Sequence, residues 1–97
     1  MNKNGYIYII TNKKNGTLYI GVTSNLAKRI YAHKQKLVDS FSKRYGLSIL
    51  VYFESFETIV DAIKREKQLK QWQRQWKITL IEKENENWDD LYESIIY

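Results

Sequence analysis

The sequence contains no cysteine and no proline, and it has a single histidine among its 97 residues. The absence of cysteine excludes disulfides, thiolate nucleophiles and cysteine-based zinc sites, and it is compatible with a reducing, cytoplasmic compartment. With one histidine, a metal site built from histidines alone is excluded as well. Because no proline marks the helix ends, Gly, Asn and Ser must do so.

Long hydrophobic runs are absent too. No segment approaches the roughly 20 apolar residues of a membrane span, and residues 1–5 lead into an alternating pattern rather than the apolar stretch of a signal peptide. We therefore expect a cytoplasmic protein without membrane contact, organised as one domain over residues 1–97, since this length supports one modest core. The net charge of +5 favours a polyanionic partner.

Two tyrosine-bearing segments near the start alternate in hydrophobicity with a period of two, at residues 6–10 and 18–21. The intervening residues 12–16 carry Asn and Gly, which are typical of turns. The two segments are therefore predicted to pair as an antiparallel hairpin. Tyr6 and Tyr8 share one face of their strand, whereas Tyr19 shares a face with Gly21 and two threonines, which looks too polar for the main core. We expect the Tyr19 phenol to point into the space that Gly21 leaves open.

The remaining pattern predicts a small layered α/β fold: a three-stranded, largely antiparallel sheet flanked by helices in the order ββαβα plus C-terminal helices. The third strand is apolar on both faces and is expected to be the most buried. Trp72 and Trp76, one helical turn apart, are expected to be core or staple residues rather than base-stacking platforms. The predicted segments are a helix over 26–37, a basic loop over 39–46, a strand over 48–53, a helix over 58–72, and short helices over 76–81 and 88–96.

Arg29 and His33 lie four residues apart on the first predicted helix and therefore on one side of it. His33 falls inside the apolar stripe and Arg29 at its border. A cation at the edge of a core requires an anionic partner, and two interpretations are open: a structural ion pair with a core histidine beside it, or a site for an anionic ligand next to the strand tyrosines.

Glu66 falls in the middle of the apolar stripe of the second long helix. An unpaired buried carboxylate costs several kcal/mol, so it must meet a cation. The candidates are a buried ion pair with Arg29, a contact with Lys70 one turn along, or one hard divalent ion. Mg and Mn are usually held by one or two carboxylates, with water and phosphate oxygens as the other ligands.

Together these residues resemble the GIY-YIG nuclease family, and the resemblance covers nearly the whole chain. The sequence departs from the family name by having tyrosine where the first motif has glycine. The positions that carry the resemblance are Tyr6-Ile7-Tyr8, Tyr19-Ile20-Gly21, Arg29, His33 and Glu66.

The resemblance implies a divalent-metal-dependent endonuclease that hydrolyses phosphodiester bonds in DNA, with one Mg or Mn ion. It implies that Tyr8 or Tyr19 positions and deprotonates the attacking water, that Arg29 contacts the scissile phosphate, and that His33 supports the nucleophile. Glu66 would bind the metal. A phenol has an ordinary pKa near 10 and is a poor base at neutral pH unless a nearby cation lowers that pKa.

Basic side chains crowd the helix flanks and the loop before the third strand, and about half of them are expected to face a nucleic-acid backbone. Without a separate recognition domain, we expect weak sequence preference and a structure-specific or damaged substrate, as in DNA repair, with RNA as an alternative. The rival functions are a non-catalytic nucleic-acid-binding module and a protein-interaction domain. The candidate contacts are Lys28, Lys43, Arg44, Lys64, Arg65, Lys67, Lys70, Arg74 and Lys77.

Overall fold

The structure, a computed structural model, describes residues 4–37 and 40–96. Three antiparallel strands form its sheet: β1 (Gly5–Thr11), β2 (Leu18–Thr23) and β3 (Ile49–Phe56), in the spatial order β2-β1-β3. The predicted hairpin and the antiparallel sheet are confirmed. The expectation that β3 is the most buried strand is wrong, because β1 lies between the other two and is shielded on both sides.

In the described residues five helices flank the sheet, and α3 begins after the N-cap Thr58, whose hydroxyl accepts from the Asp61 amide at 3.2 Å. Among the described residues, no helix is long and apolar enough to span a membrane. The helices are α1 (Leu26–Lys34), α2 (Ser40–Tyr45), α3 (Ile59–Lys70), α4 (Arg74–Glu84) and α5 (Tyr92–Ile95).

Helix α1 ends three residues earlier than predicted. Lys36 adopts a left-handed φ of 58°, its amide donates to the His33 carbonyl, and the Leu37 amide donates to the Ala32 carbonyl. This is the hydrogen-bond pattern of a Schellman C-cap, which terminates a helix. The chain therefore turns before Leu37, which is exposed instead of joining the apolar stripe.

The predicted loop over 39–46 is wrong for its described part, which forms α2. Residue 39 lies outside the described residues. Two buried side chains, Ser42 within the helix and Leu47 just after it, anchor this segment to the first long helix and the sheet. Tertiary burial thus favours a short helix in a stretch whose polar, basic composition suggested a loop.

The predicted C-terminal helix over 88–96 is reduced to α5, because Trp88 has a left-handed φ of 59°. The chain before α5 instead runs beside β3, where the Leu91 amide donates to the Leu50 carbonyl at 2.8 Å. The Asn85 amide group donates to the Val51 carbonyl at 3.0 Å. These bonds satisfy backbone groups on the outer edge of β3, which would otherwise be open to another strand.

Hydrophobic clusters cover both faces of the sheet. Ile7 and Ile9 pack with Ala62 and Leu69 of α3, while Tyr8 and its neighbours pack with α1 and the segment after α2. The expectation that the Tyr19 face is not the main core side is confirmed, because the larger cluster lies on the opposite face. The Tyr19 face carries the second cluster and places a strand tyrosine against the histidine of α1.

Candidate active site

A chain of three buried polar groups connects the central strand to α1 and α2. The Tyr8 hydroxyl lies 2.8 Å from His33 Nε2, and His33 Nδ1 lies 2.9 Å from the Ser42 hydroxyl. Their exposed fractions are 1%, 3% and 2%. In a neutral imidazole one nitrogen donates and the other accepts, so the two hydroxyls fix the ring orientation and can select its tautomer.

The motif glycine provides space for this arrangement. Tyr8 lies directly opposite Gly21 in the β1–β2 register, and a Cβ atom at position 21 would overlap Cζ and the hydroxyl of the Tyr8 ring. The ring above Gly21 is therefore that of Tyr8. The sequence analysis expected the Tyr19 ring there, and this expectation is wrong. The register explains the difference, because Tyr19 is paired with Ile10.

Tyr19 lies beside these hydrogen-bonded groups, at the edge of the sheet. Its ring centroid is 6.4 Å from that of Tyr8, 5.9 Å from that of His33 and 6.0 Å from that of Phe41. Tyr19 is half-buried, whereas Tyr8 is fully buried. The two strand tyrosines and the histidine thus form one cluster, in which Tyr19 is the ring nearer to solvent.

Arg29 precedes His33 by one helical turn and is exposed, together with Lys28. Both side chains line an open cleft at the start of α1, where Asn25 caps the helix. Of the two interpretations of Arg29, the structural ion pair is not found: across residues 4–37 and 40–96, Arg29 forms no ion pair with a carboxylate. An exposed guanidinium keeps its hydration and needs no buried counter-ion.

Glu66 is the most buried carboxylate near this cluster, with 15% of its side chain exposed. Lys70 Nζ lies 2.7 Å from its Oε2, and the same ammonium lies 5.9 Å from the centroid of the Tyr19 ring. The predicted need for a cation is confirmed, and the partner is Lys70 rather than Arg29. Through Lys70, α3 reaches around the sheet edge toward the tyrosines on the other face.

The donor chemistry of Glu66 fits one hard divalent cation, although Lys70 is the partner in the structure. No group of three or more His, Asp or Glu side chains that could hold a metal occurs in the part of the chain that the structure describes. A single carboxylate is nevertheless enough for Mg or Mn when water and phosphate oxygens complete the shell. Lys70 is 49% exposed and long, so it can move aside without unfolding the helix.

A sequence model of the GIY-YIG catalytic domain matches residues 4–79. The chain belongs to the GIY-YIG family. It is 40% identical over 76 residues to a UPF0213 protein of Staphylococcus saprophyticus, covering 78% of this chain and 92% of that protein. A UPF0213 protein of Clostridium perfringens is 41% identical over 76 residues, covering 78% of this chain and 81% of that protein.

The fold of this GIY-YIG protein is similar to the solution NMR structure of the UPF0213 protein BH0048 from Bacillus halodurans. The TM-score is 0.54 at 25% identity, and the match covers 89% of this chain and 90% of that chain. GIY-YIG domains are those of a nuclease family, whereas the names of these relatives state no activity.

The predicted nucleic-acid contacts of the GIY-YIG domain fall into two groups. Arg65 and Arg74 have partners within the protein. Arg65 donates two hydrogen bonds to Glu54, at 2.9 and 3.0 Å, and these bonds raise the pKa of its guanidinium. Arg74 donates to the carbonyls of the β1–β2 turn. The others are exposed or half-exposed lysines and one arginine, of which Lys70 is also paired with Glu66: Lys28, Lys43, Arg44, Lys64, Lys67, Lys70 and Lys77.

The sequence interpretation does not identify Ser42 and Phe41 as part of the site, because the polar, basic composition of their segment predicts a loop. The available signal was weak: Phe41 and Tyr45 have the i, i+4 spacing of one helical turn. Trp72 packs against the core, as expected. Trp76 is 53% exposed and is not a core residue, but its ring meets that of Trp72 edge-on at a centroid distance of 6.0 Å.

Proposed function

We propose that this GIY-YIG protein is a divalent-metal-dependent endonuclease that hydrolyses phosphodiester bonds in DNA. The observation that carries the proposal is that several polar groups lie together at one edge of the sheet. They are the Tyr8–His33 pair, joined by a hydrogen bond of 2.8 Å, the half-exposed Tyr19, and the Lys70–Glu66 ion pair. Phosphodiester hydrolysis requires an activated water and charge stabilisation at the phosphate. Side chains suited to each task lie at or next to this edge.

In the proposed mechanism the phenolate form of Tyr19 contacts the attacking water and accepts its proton, becoming the neutral phenol, because Tyr19 is the tyrosine nearer to solvent. The rings of Tyr8 and His33 lie beside the Tyr19 ring, at centroid distances of 6.4 and 5.9 Å, and position it. Arg29 binds the non-bridging oxygens of the scissile phosphate. When bound at Glu66, one Mg or Mn ion supplies charge stabilisation at the leaving oxygen.

A second candidate is a nucleic-acid-binding module that does not cleave. The ion pair between Glu66 and Lys70 favours it, because Lys70 neutralises the carboxylate without a metal ion. DNA and RNA are both possible ligands of such a module. The two candidates differ in whether Glu66 is required for a metal-dependent reaction.

Substitution of Glu66 tests the proposal. We expect Glu66→Gln to reduce Mg-dependent cleavage of labelled DNA by at least about 100-fold, because metal stabilisation contributes several kcal/mol. The melting temperature should stay near that of the wild type, since the Lys70 ammonium that loses its partner is 49% exposed and keeps its hydration. The measurement is single-turnover cleavage of single-stranded, duplex and branched DNA and of RNA, with Mg, Mn or EDTA.

The matched control is Glu86→Gln, at an exposed carboxylate of the C-terminal segment. It should cleave at the wild-type rate. If Glu66→Gln kept most of its Mg-dependent cleavage, the assignment of the metal ligand would be wrong. If the wild-type protein bound DNA but cleaved no substrate with either metal, the binding module would be the better description.

A further inference from the structure

Helix α2 has two different sides. Its inner side carries the buried Ser42, which is hydrogen-bonded to His33. Its outer side presents Phe41 and Tyr45, one turn apart, with exposed fractions of 42% and 46% and ring centroids 4.8 Å apart. The helix that orients the histidine of the proposed active site therefore also holds two large aromatic rings at the surface.

These two rings continue a row of aromatic side chains that ends at the buried cluster. The Phe41 ring lies 6.0 Å from the Tyr19 ring with an interplanar angle of 30°, and Tyr19 lies 5.9 Å from His33. The row Tyr45, Phe41, Tyr19 thus leads from solvent to the proposed site. Beside it is an open cleft of about 400 Å³, lined by Leu18, Tyr19, Ile20, Phe41, Lys70 and Lys77.

Cations accompany this row at both ends. The Arg44 guanidinium lies 5.9 Å from the centroid of the Tyr45 ring, and the Lys70 ammonium lies 5.9 Å from that of Tyr19. Lys77 adds a third positive charge at the cleft, and none of the described residues that line the cleft is acidic. The surface therefore alternates flat apolar rings with positive charge.

Such a surface matches the chemistry of a nucleotide with an unpaired base. Every base has a π-face that can stack on an aromatic ring, and its phosphate can meet a neighbouring cation. Bases inside a duplex already stack on each other and must be unpaired to reach a protein ring. A protein partner fits less well, because lysine is depleted in protein interfaces.

We propose that Tyr19, Phe41 and Tyr45 form a stacking platform for unpaired bases, so that the strand entering the active site is single-stranded DNA or an unpaired segment of a branched duplex. The proposal rests on the proposed nuclease function only in stating that the bound strand enters an active site. The platform itself is a binding site and can be tested without cleavage.

The test compares binding of three labelled oligonucleotides of equal length, measured in calcium to avoid turnover: a single strand, an abasic strand with the same phosphates, and a duplex. The wild type should bind the single strand more tightly than the abasic strand. Base stacking on an aromatic ring is worth roughly 5- to 150-fold in affinity. Phe41→Leu and Tyr45→Leu should each lose affinity for the single strand within this range and leave abasic binding nearly unchanged.

Two control variants separate stacking from folding. Tyr31→Leu removes a 51% exposed ring from α1, outside the row, and should bind all three oligonucleotides like the wild type. Phe41→Trp keeps an aromatic face and should retain single-strand affinity. If Phe41→Leu fails to fold by thermal melting, Tyr45→Leu and Phe41→Trp still decide the result.

Equal affinity of the wild type for the single and abasic strands would overturn the platform, as would Leu variants that weaken both strands equally. Failure of the platform and failure of the nuclease are distinguishable. If the Leu variants cleave and still prefer the single strand over the abasic strand as the wild type does, the nuclease function stands and the platform is wrong. If binding depends on the bases and this dependence is lost in the Leu variants, but no substrate is cleaved, the platform stands and the nuclease function is wrong.

Discussion

The surroundings constrain the Tyr8 side chain more tightly than they constrain that of Tyr19. The Tyr8 hydroxyl is buried and joined to His33, which in turn is joined to Ser42. A buried polar group that loses a partner costs about 1–3 kcal/mol, so Tyr8 contributes to stability as well as to the proposed chemistry. Tyr19 is half-buried, and its ring packs at the boundary between core and cleft. The two tyrosines should therefore respond differently to loss of the hydroxyl.

Replacing each tyrosine by phenylalanine tests this difference. Tyr19→Phe should lower the single-turnover cleavage rate by about 100-fold or more, the usual contribution of general-base catalysis, with little change in melting temperature. Tyr8→Phe should lower the rate less and reduce the free energy of unfolding by about 1–3 kcal/mol. Tyr31→Phe, at an exposed ring of α1, is the matched control and should change neither quantity.

Wild-type cleavage rates in both Tyr19→Phe and Tyr8→Phe would contradict the tyrosine mechanism even if the protein is a nuclease. His33 would then become the leading candidate for the base. DNA affinity measured in calcium should remain near the wild-type value in both variants, which separates a defect in chemistry from a defect in binding.

At the level of the elements, the site depends on the register between β1 and β2. The pairing places Tyr8 opposite Gly21, and only a residue without a side chain leaves room for the ring there. The ring then reaches the histidine of α1, which α2 holds from its other nitrogen. A one-residue slip would move every side chain to the opposite face and separate these groups.

Gly21→Ala tests this close approach. The added methyl group overlaps a buried ring that cannot move freely, so the free energy of unfolding should fall by about 1–3 kcal/mol. Cleavage should fall as well, because the ring must leave His33. The measurements are thermal or denaturant unfolding and single-turnover cleavage.

The control is Gly46→Ala, where φ is +65° and no atom lies near the added methyl group. It should cost on the order of 1 kcal/mol through backbone conformation alone. Combining Gly21→Ala with Tyr8→Leu should destabilise less than the sum of the two single changes, because the smaller side chain removes the overlap. Strict additivity would contradict the steric explanation.

At the level of the whole molecule, cations from four helices surround the two clefts and the aromatic row. Lys28 and Arg29 line the cleft of α1, Arg44 lies beside Tyr45, and Lys70 and Lys77 line the cleft at Tyr19. The net charge of +5 therefore includes a concentration of positive charge around the proposed site. Binding of any nucleic acid should depend strongly on salt.

We expect log K for single-stranded DNA to fall with log salt concentration with a slope of about −3 to −4, since each phosphate contact adds about 0.7. This corresponds to roughly a 100-fold loss of affinity between about 50 and about 200 mM salt. Lys77→Ala should reduce the slope by about 0.7. Lys83→Ala, which lies further along α4, is the control and should leave the slope unchanged. A binding constant insensitive to salt would contradict this prediction.

Features that depend on local pattern could be predicted from the amino-acid order alone. The period-two segments and the turn residues predicted the hairpin, and the apolar spacing predicted α3. The burial of Glu66 followed from its position on that helix. The order of motif residues identified the family, because side-chain chemistry and spacing are properties of the chain alone.

Which side chains contact each other, in contrast, depends on the packing of the folded chain. The register put Tyr8 rather than Tyr19 over Gly21, and helix packing gave Glu66 the ammonium of Lys70 instead of the guanidinium of Arg29. Burial of Ser42 and Leu47 turned an apparent loop into α2, which created the aromatic row. These outcomes depend on contacts between residues far apart in sequence, and local propensity is too weak to specify such contacts.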